Sequence, residues 1–244
     1  MSETRLIEIA ALGERLSALR LCDQGVLTSM RRSLERHGQL NAVTLFVEQG
    51  QLEILDGFKR VRAARALGLT TLVARVDDVG VADAKLRLTE LHTHHGLTEI
   101  EEAWVVRSLY REDRLSQPEI ARRMSRHKSW VCRRLMLVEA LDVTVQADVR
   151  LGLLAPRAAI SLSRLPRGNQ PSASSIVVRR GLTVRQTELL VDEALEQGDP
   201  DTQSKWLAKR AEAPSTNAKP GPLPTRAVRN EADWMCVDIR QLRE

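Results

Sequence analysis

Residues 115–137, LSQPEIARRMSRHKSWVCRRLML, constrain the fold more than any other stretch of the chain. Ser116 stands as a helix N-cap with Glu119 as its partner three positions on, and Pro118 lies in the first turn, where a missing N–H costs little. Ile120, Ala121 and Met124 give this helix an inner face, with Ala121 small where a second helix would cross. Ser125-Arg126-His127 then reads as a tight turn, which Ser125 can take with a positive φ at modest cost. Val131, Leu135 and Val138, at i, i+4 and i+7, make the inner stripe of the second helix. The pattern predicts a helix-turn-helix that leaves Lys128, Ser129, Trp130, Arg133 and Arg134 toward solvent or a groove.

Charge is concentrated in the same place. From Trp104 to Leu137 there are nine basic residues against three acidic ones, a local excess of +6 that exceeds the +5 of the whole chain. A focused basic surface on a helix-turn-helix points to double-stranded DNA, and the alternative is a helical hairpin with a solvated basic face. On the DNA reading, Arg126 and Lys128 at the turn meet phosphates, Ser129, Arg133 and Arg134 reach base edges, and Ser116 and Gln117 flank them at the first helix start. Trp130 either stacks on a sugar or base or packs as partial core. Cys132 reads as packing.

With 244 residues, about two compact units plus tails are expected, and 43% hydrophobic residues suffice to bury their cores. Cys22, Cys132 and Cys236 are too few and too scattered for a disulfide framework, no apolar run is long enough to span a membrane, and the N-terminus does not read as a signal peptide. A cytoplasmic protein with no membrane partner is the expectation.

The first 81 residues alternate strand and helix signals: Leu6–Ala10, helix Gly25–His37, strands Ala42–Glu48 and Gln51–Leu55 around Gln49-Gly50, helix Lys59–Leu67 and strand Thr71–Asp77. The order β-α-β-β-α-β predicts a small α+β domain. In the first helix Val26, Met30 and Leu34 are the expected inner stripe. From Ala82 to about residue 210 the chain reads as all-α, with helices at Ala82–Leu91, Glu99–Arg111, the helix-turn-helix pair, Asp142–Leu151, Pro156–Leu165 and Thr183–Glu196. Residues 211–230, with four prolines, read as a linker, and 231–244 as a short C-terminal segment.

A second candidate site lies at Leu55–Leu69, LDGFKRVRAARALGL. Gly57 sits at a strand-to-helix junction, and Lys59, Arg60 and Arg62 load the helix start with positive charge. Free N–H groups and the dipole there attract anions, so cations at that end imply either a bound phosphate or a solvated basic face. His92, His94 and His95 admit zinc, a phosphate contact or plain polar helix-end residues, and zinc lacks a fourth ligand nearby.

Taken in order from about Ile7 to Asp192, these segments resemble the ParB family of chromosome and plasmid partition proteins. His37–Val43 is similar to the family's first nucleotide motif and Gly57–Ala63 to its phosphate motif, GERR followed by RA, with Phe58 and Lys59 in place of the Glu and first Arg. Glu90–Ala103 resembles the third motif, ENxQR, with Leu91 for the Asn and His94 for the basic residue. Asp148–Leu165 and Gly181–Val191 match later helical patterns, Arg185 and Glu188 falling on their positions. The resemblance implies a ParB/sulfiredoxin-like N-terminal domain followed by a helix-turn-helix domain. It also implies a homodimeric clamp on a palindromic DNA site at the nucleoid, CTP and Mg²⁺ in the N-terminal domain, weak CTP hydrolysis, and a ParA-type ATPase as partner. Gly57, Lys59, Arg60, Arg62 and His94 would then hold nucleotide phosphate, and Glu90 the Mg²⁺. The rival readings are a helix-turn-helix transcriptional regulator that does not use nucleotide, and an enzyme of the sulfiredoxin or small-molecule-kinase type, to whose DGxHR motif Asp56–Arg60 is similar.

Overall fold

The computed structural model describes residues 4–90 and 97–213. They divide into two compact units. The first takes the described residues up to Glu101 with Arg111–Arg114, and the second takes Glu102–Tyr110 with the described residues from Leu115 on.

The first unit is α+β. Strand β1 (Thr4–Glu8), two single-turn 3-10 segments, helix α1 (Gln24–His37), the hairpin β2 (Val43–Glu48) and β3 (Gln51–Asp56), helix α2 (Phe58–Ala66) and strand β4 (Thr71–Asp77) follow in the expected order. The four-stranded sheet runs β1-β4-β2-β3, with β4 and β2 parallel and the outer pairs antiparallel. Val43, Leu45, Ile54, Val61, Ala63, Ala64 and Ala74 are fully buried, so the core lies between sheet and helices. β2 begins only at Val43, opposite Ala74, and the Gln39 side-chain amide completes the ladder beyond it. It accepts from the Val73 N–H and donates to the Val73 carbonyl, both at 2.7 Å.

α1 keeps Met30 and Leu34 of the expected stripe but takes Leu27 in place of Val26. Leu34 is its buried residue, Leu27 and Met30 are half-buried, and Val26 is 41% exposed. Spacing alone does not separate Val26 from Leu27, because both lie within one turn of Met30. Helix α3 (Val81–Glu90) carries Lys85, which is 1% exposed and donates to Asp113 at 2.6 Å and Glu112 at 3.0 Å.

The second unit is all helical. It takes Glu102–Tyr110 of helix α4 (Glu99–Arg111), whose start, in the first unit, carries the expected capping box: the Glu101 carboxylate accepts from the Thr98 N–H at 2.8 Å, and the Thr98 hydroxyl accepts from the Glu101 N–H. Helices α5 (Gln117–Arg123), α6 (Lys128–Glu139), α7 (Val143–Arg150), α8 (Pro156–Leu162), α9 (Gln170–Arg180), α10 (Val184–Leu195) and α11 (Pro200–Glu212) follow. α9 and α11 were not expected as separate helices. α9 reads QPSASSIVVRR, and its three serines and β-branched residues give a weak local signal. Burial of Ala173, Ile176 and Val177 supplies what propensity does not. α11 runs to Glu212, so residues 211 and 212, read from sequence as linker, close a helix. Ala213 is the C-cap of that helix, and residues 214–230 and 231–244 lie outside the described residues. Gln170 ties α9 to the turn before α7, its buried amide accepting from the Asp142 N–H at 2.7 Å and donating to the carbonyls of Ala140 and Leu165. Among the described residues no helix is long and apolar enough to cross a membrane.

Candidate nucleic-acid interface and anion site

α5 and α6 form a helix-turn-helix. Ser116 caps α5, its hydroxyl accepting from the Glu119 N–H, while the Glu119 carboxylate accepts from Arg123 at 2.7 Å. Ile120 and Ala121 are buried on α5, and Val131, Leu135 and Leu137 on α6. Ser125 has φ 52°, as the turn required, and Arg126 donates its N–H to the Ala121 carbonyl at 2.8 Å. His127 caps α6, its Nδ1 accepting from the Ser129 N–H at 3.2 Å and lying 2.8 Å from the Ser129 hydroxyl. Sequence reasoning placed His127 in the turn but missed this cap, because His is outside the usual set of capping residues.

The outward stripe of α6 follows from its buried one. Lys128, Ser129, Cys132 and Arg133 are exposed, with Arg126 exposed at the turn. Among the described residues Arg126, Lys128 and Arg133 form no ion pair. Cys132 is therefore not packing, as the sequence reading had it, but stands on the surface between Ser129 and Arg133.

Arg134 corrects the sequence reading in the other direction. It is 9% exposed, and its Nε and Nη2 both sit 2.8 Å from Oε2 of Glu102 on α4. It turns inward because position 134 shares the helix side of Val131 and Leu135, and Glu102 there meets its charge. Arg134 is thus engaged within the protein, where the sequence reading had it exposed toward a groove. Trp130 is half-buried, and its ring faces Arg134 at 4.9 Å and Arg126 at 5.4 Å from the centroid. The ring thus braces two guanidiniums of its own chain. Ser116 is exposed but engaged as a cap, and Gln117 is half-buried.

The Gly57 turn is built differently. Gly57 has φ 100°, and a Cβ there would lie 2.7 Å from Cγ1 of Val43, so both backbone and packing demand glycine. The N-cap of α2 is Gly57 itself, so no N-cap side chain bonds the first amides of the helix. Two of the three cations expected to greet an anion are already engaged. Arg60 donates to the carbonyls of Ala42 at 2.7 Å and Asn41 at 2.9 Å, and lies 3.4 Å from Asp56. Arg62 donates to Glu14 at 2.8 and 2.9 Å, and Arg65 also pairs with Glu14. Burial works to lower the Arg62 pKa, and the hydrogen bond and charge of Glu14 together with Cys22 more than offset it. The unrelieved crowding of cations inferred from sequence is therefore absent, because acceptors distant in sequence fold onto it. Lys59 is half-buried and forms no ion pair among the described residues.

Glu90 is exposed at the last turn of α3, and His92, His94 and His95 lie outside the described residues. No cluster of three His, Cys, Asp or Glu able to hold a metal occurs among the described residues.

Comparison with known proteins places these features in one group. Residues 95–196 match the family model described as the ParB HTH domain. A probable chromosome-partitioning protein ParB of Pseudomonas putida is 31% identical over 186 residues, covering 75% of this chain and 64% of the relative. A nucleoid occlusion protein of Halalkalibacterium halodurans is 25% identical over 190 residues, covering 78% of this chain and 67% of that protein. Among solved structures, the C-terminally truncated ParB from Caulobacter crescentus complexed to the centromeric parS site gives a TM-score of 0.49 at 23% identity, covering 78% of this chain and 99% of that one. The chain thus spans a little under two thirds of the length of the Pseudomonas relative.

Proposed function

From the premise that the chain belongs to the ParB family, we propose that it is a sequence-specific, nucleoid-associated DNA-binding protein acting in the partition of a chromosome, plasmid or mobile element. The observation that carries the reading is the outward stripe of α6, exposed and cationic with no acid paired to it among the described residues, on a helix whose other side is fixed by a buried core. Arg126 and Lys128 meet phosphates, and Ser129 and Arg133 reach base edges in the major groove, with Cys132 beside them. Ser116 and Gln117 support the start of α5 against the backbone. A single such module covers half a site, so the target is palindromic and the bound species a homodimer.

The first unit serves as a nucleotide-controlled gate in this reading, with CTP as the nucleotide. Gly57 and the uncapped start of α2 support one phosphate there, with Lys59 as the free cation. Arg60 acts as a positioning residue that ties residues 41–42 to the Gly57 turn. Arg62 takes part only where Glu14 releases it, and His94 is a further phosphate contact in this reading. Mg²⁺ accompanies the triphosphate, with Glu90 as its protein carboxylate, and supplies charge neutralisation. Slow CTP hydrolysis and recruitment of a ParA-type ATPase complete the proposal.

Chromatin immunoprecipitation with sequencing tests the function. One sharp peak over a palindrome with spreading flanks is expected. Many promoter peaks without spreading would favour the nucleotide-free transcriptional regulator. Titration calorimetry of the full chain with CTP, GTP and ATP, with and without Mg²⁺, tests the gate: heat with CTP alone among them is expected, and heat with none removes it.

A further inference from the structure

The cations of α1 are unlike those of α2. Arg31, Arg32 and Arg36 are all exposed, and none forms an ion pair among the described residues. Glu35 is the single acid between Gln24 and His37. Arg32 and Arg36 stand one turn apart on the side opposite Leu34, in line with Gly25 and Ser29, and like charges so placed repel one another on an isolated helix. The face carries no aromatic side chain, and Val26, the exposed aliphatic residue of this helix, lies off the stripe. Protein interfaces centre on buried aromatic or aliphatic anchors, whereas a phosphate backbone asks for cations and close approach. Small residues at 25 and 29 allow that approach.

We propose that this face of α1 is a second, sequence-independent contact to the DNA backbone, separate from the helix-turn-helix. The inference rests on the DNA-binding reading above. Once α6 holds DNA, the covalent connection keeps α1 at high effective concentration near the same or a neighbouring duplex, so a patch too weak to bind alone becomes effective. Its contribution is to affinity and salt dependence, not to site choice, because backbone contacts carry no base information.

The test is fluorescence anisotropy of the full chain on an unrelated duplex and on the immunoprecipitated site, over a range of salt. Three full-length variants are compared: R31Q/R32Q/R36Q, the charge-retaining R31K/R32K/R36K, and K128Q. The glutamine triple variant should make the slope of log K against log salt shallower by about 2–3 units, at about 0.9 per phosphate contact, on both duplexes and with site preference kept. The lysine triple variant should retain the slope, and K128Q should lower it by about one unit. An unchanged slope in the glutamine triple variant while K128Q responds overturns the α1 contact and leaves the DNA reading standing. If neither responds, the DNA reading itself falls. Loss of an acidic protein partner with DNA binding unaltered assigns the face to protein and also overturns the proposal.

Discussion

Around α2, Arg60 donates to two backbone carbonyls and faces Asp56, while Arg62 and Arg65 share Glu14. Around α6, Arg126, Lys128 and Arg133 are exposed and pair with no acid among the described residues, Arg126 lying against the Trp130 ring. The two regions are equally basic as strings of letters, and the difference lies in the acids folded onto them. In the first, Glu14 arrives from a turn far upstream. In the second, Glu119 is paired with Arg123 and Glu102 with Arg134. A count of charges therefore locates a basic region, but the tertiary supply of acceptors decides which cations remain for a ligand.

Changes to the engaged region should appear as stability. Gly57→Ala combines a left-handed φ with contact against Val43 and is expected to cost about 2 kcal/mol. Urea unfolding of the full chain measures it, and an unaltered midpoint would show that the turn relaxes without strain. Glu14→Ala removes the acceptor shared by Arg62 and Arg65 and should cost about 1 kcal/mol, given its partial exposure. It should also make the first unit resemble the second: Arg62 freed of its acid, and Arg65 left only with the carbonyls of Ile9 and Leu12, raise heparin retention of the full chain. Retention equal to that of the parent would mean that engagement by Glu14 is not what separates the regions.

Changes to the free region should appear as binding. Lys128→Ala is expected to leave unfolding unaltered within about 0.5 kcal/mol and to weaken every duplex alike, flattening the salt slope by about one unit. A sequence-dependent loss would move Lys128 from the backbone to a base edge.

The smallest effect concerns an acid used as a cap. Hydrogen bonds from Thr144 hold the Asp142 carboxyl below its ordinary pKa. The stability this gives is present above the ordinary carboxylate range and is lost as pH falls through the depressed value. Asp142→Asn keeps the capping oxygen and should lessen the loss of stability on acidification, read as thermal midpoints between neutral and strongly acidic buffer. An identical acid profile would place that loss elsewhere.

Features set by neighbours in sequence were legible. The Ser116 cap, the positive φ at Ser125, the Gly57 turn and the Thr98–Glu101 box follow from residue types a few positions apart, and so does the β-α-β-β-α-β order. Features set across the fold were not. Glu14 lies 48 residues from Arg62, Glu102 lies 32 from Arg134, and neither pairing leaves a local trace. Arg133 and Arg134 are identical in type and adjacent, so helical phase alone separates them. That phase was read with Arg134 outward because Leu137, fully buried, was not counted in the inner stripe.

Arg133 and Arg134 also give the most direct test of the account. Arg133→Gln and Arg134→Gln should be carried through both urea unfolding and anisotropy on the immunoprecipitated site. The account predicts that Arg133→Gln keeps the unfolding midpoint and loses about 1–3 kcal/mol of binding with relaxed site preference. Arg134→Gln should lose about 3 kcal/mol of folding stability, because Glu102 is left without its charge partner. At a temperature where it is still folded, Arg134→Gln should keep its site preference. Stability lost by Arg133→Gln, or site preference relaxed by Arg134→Gln with folding intact, would contradict the division between engaged and free cations.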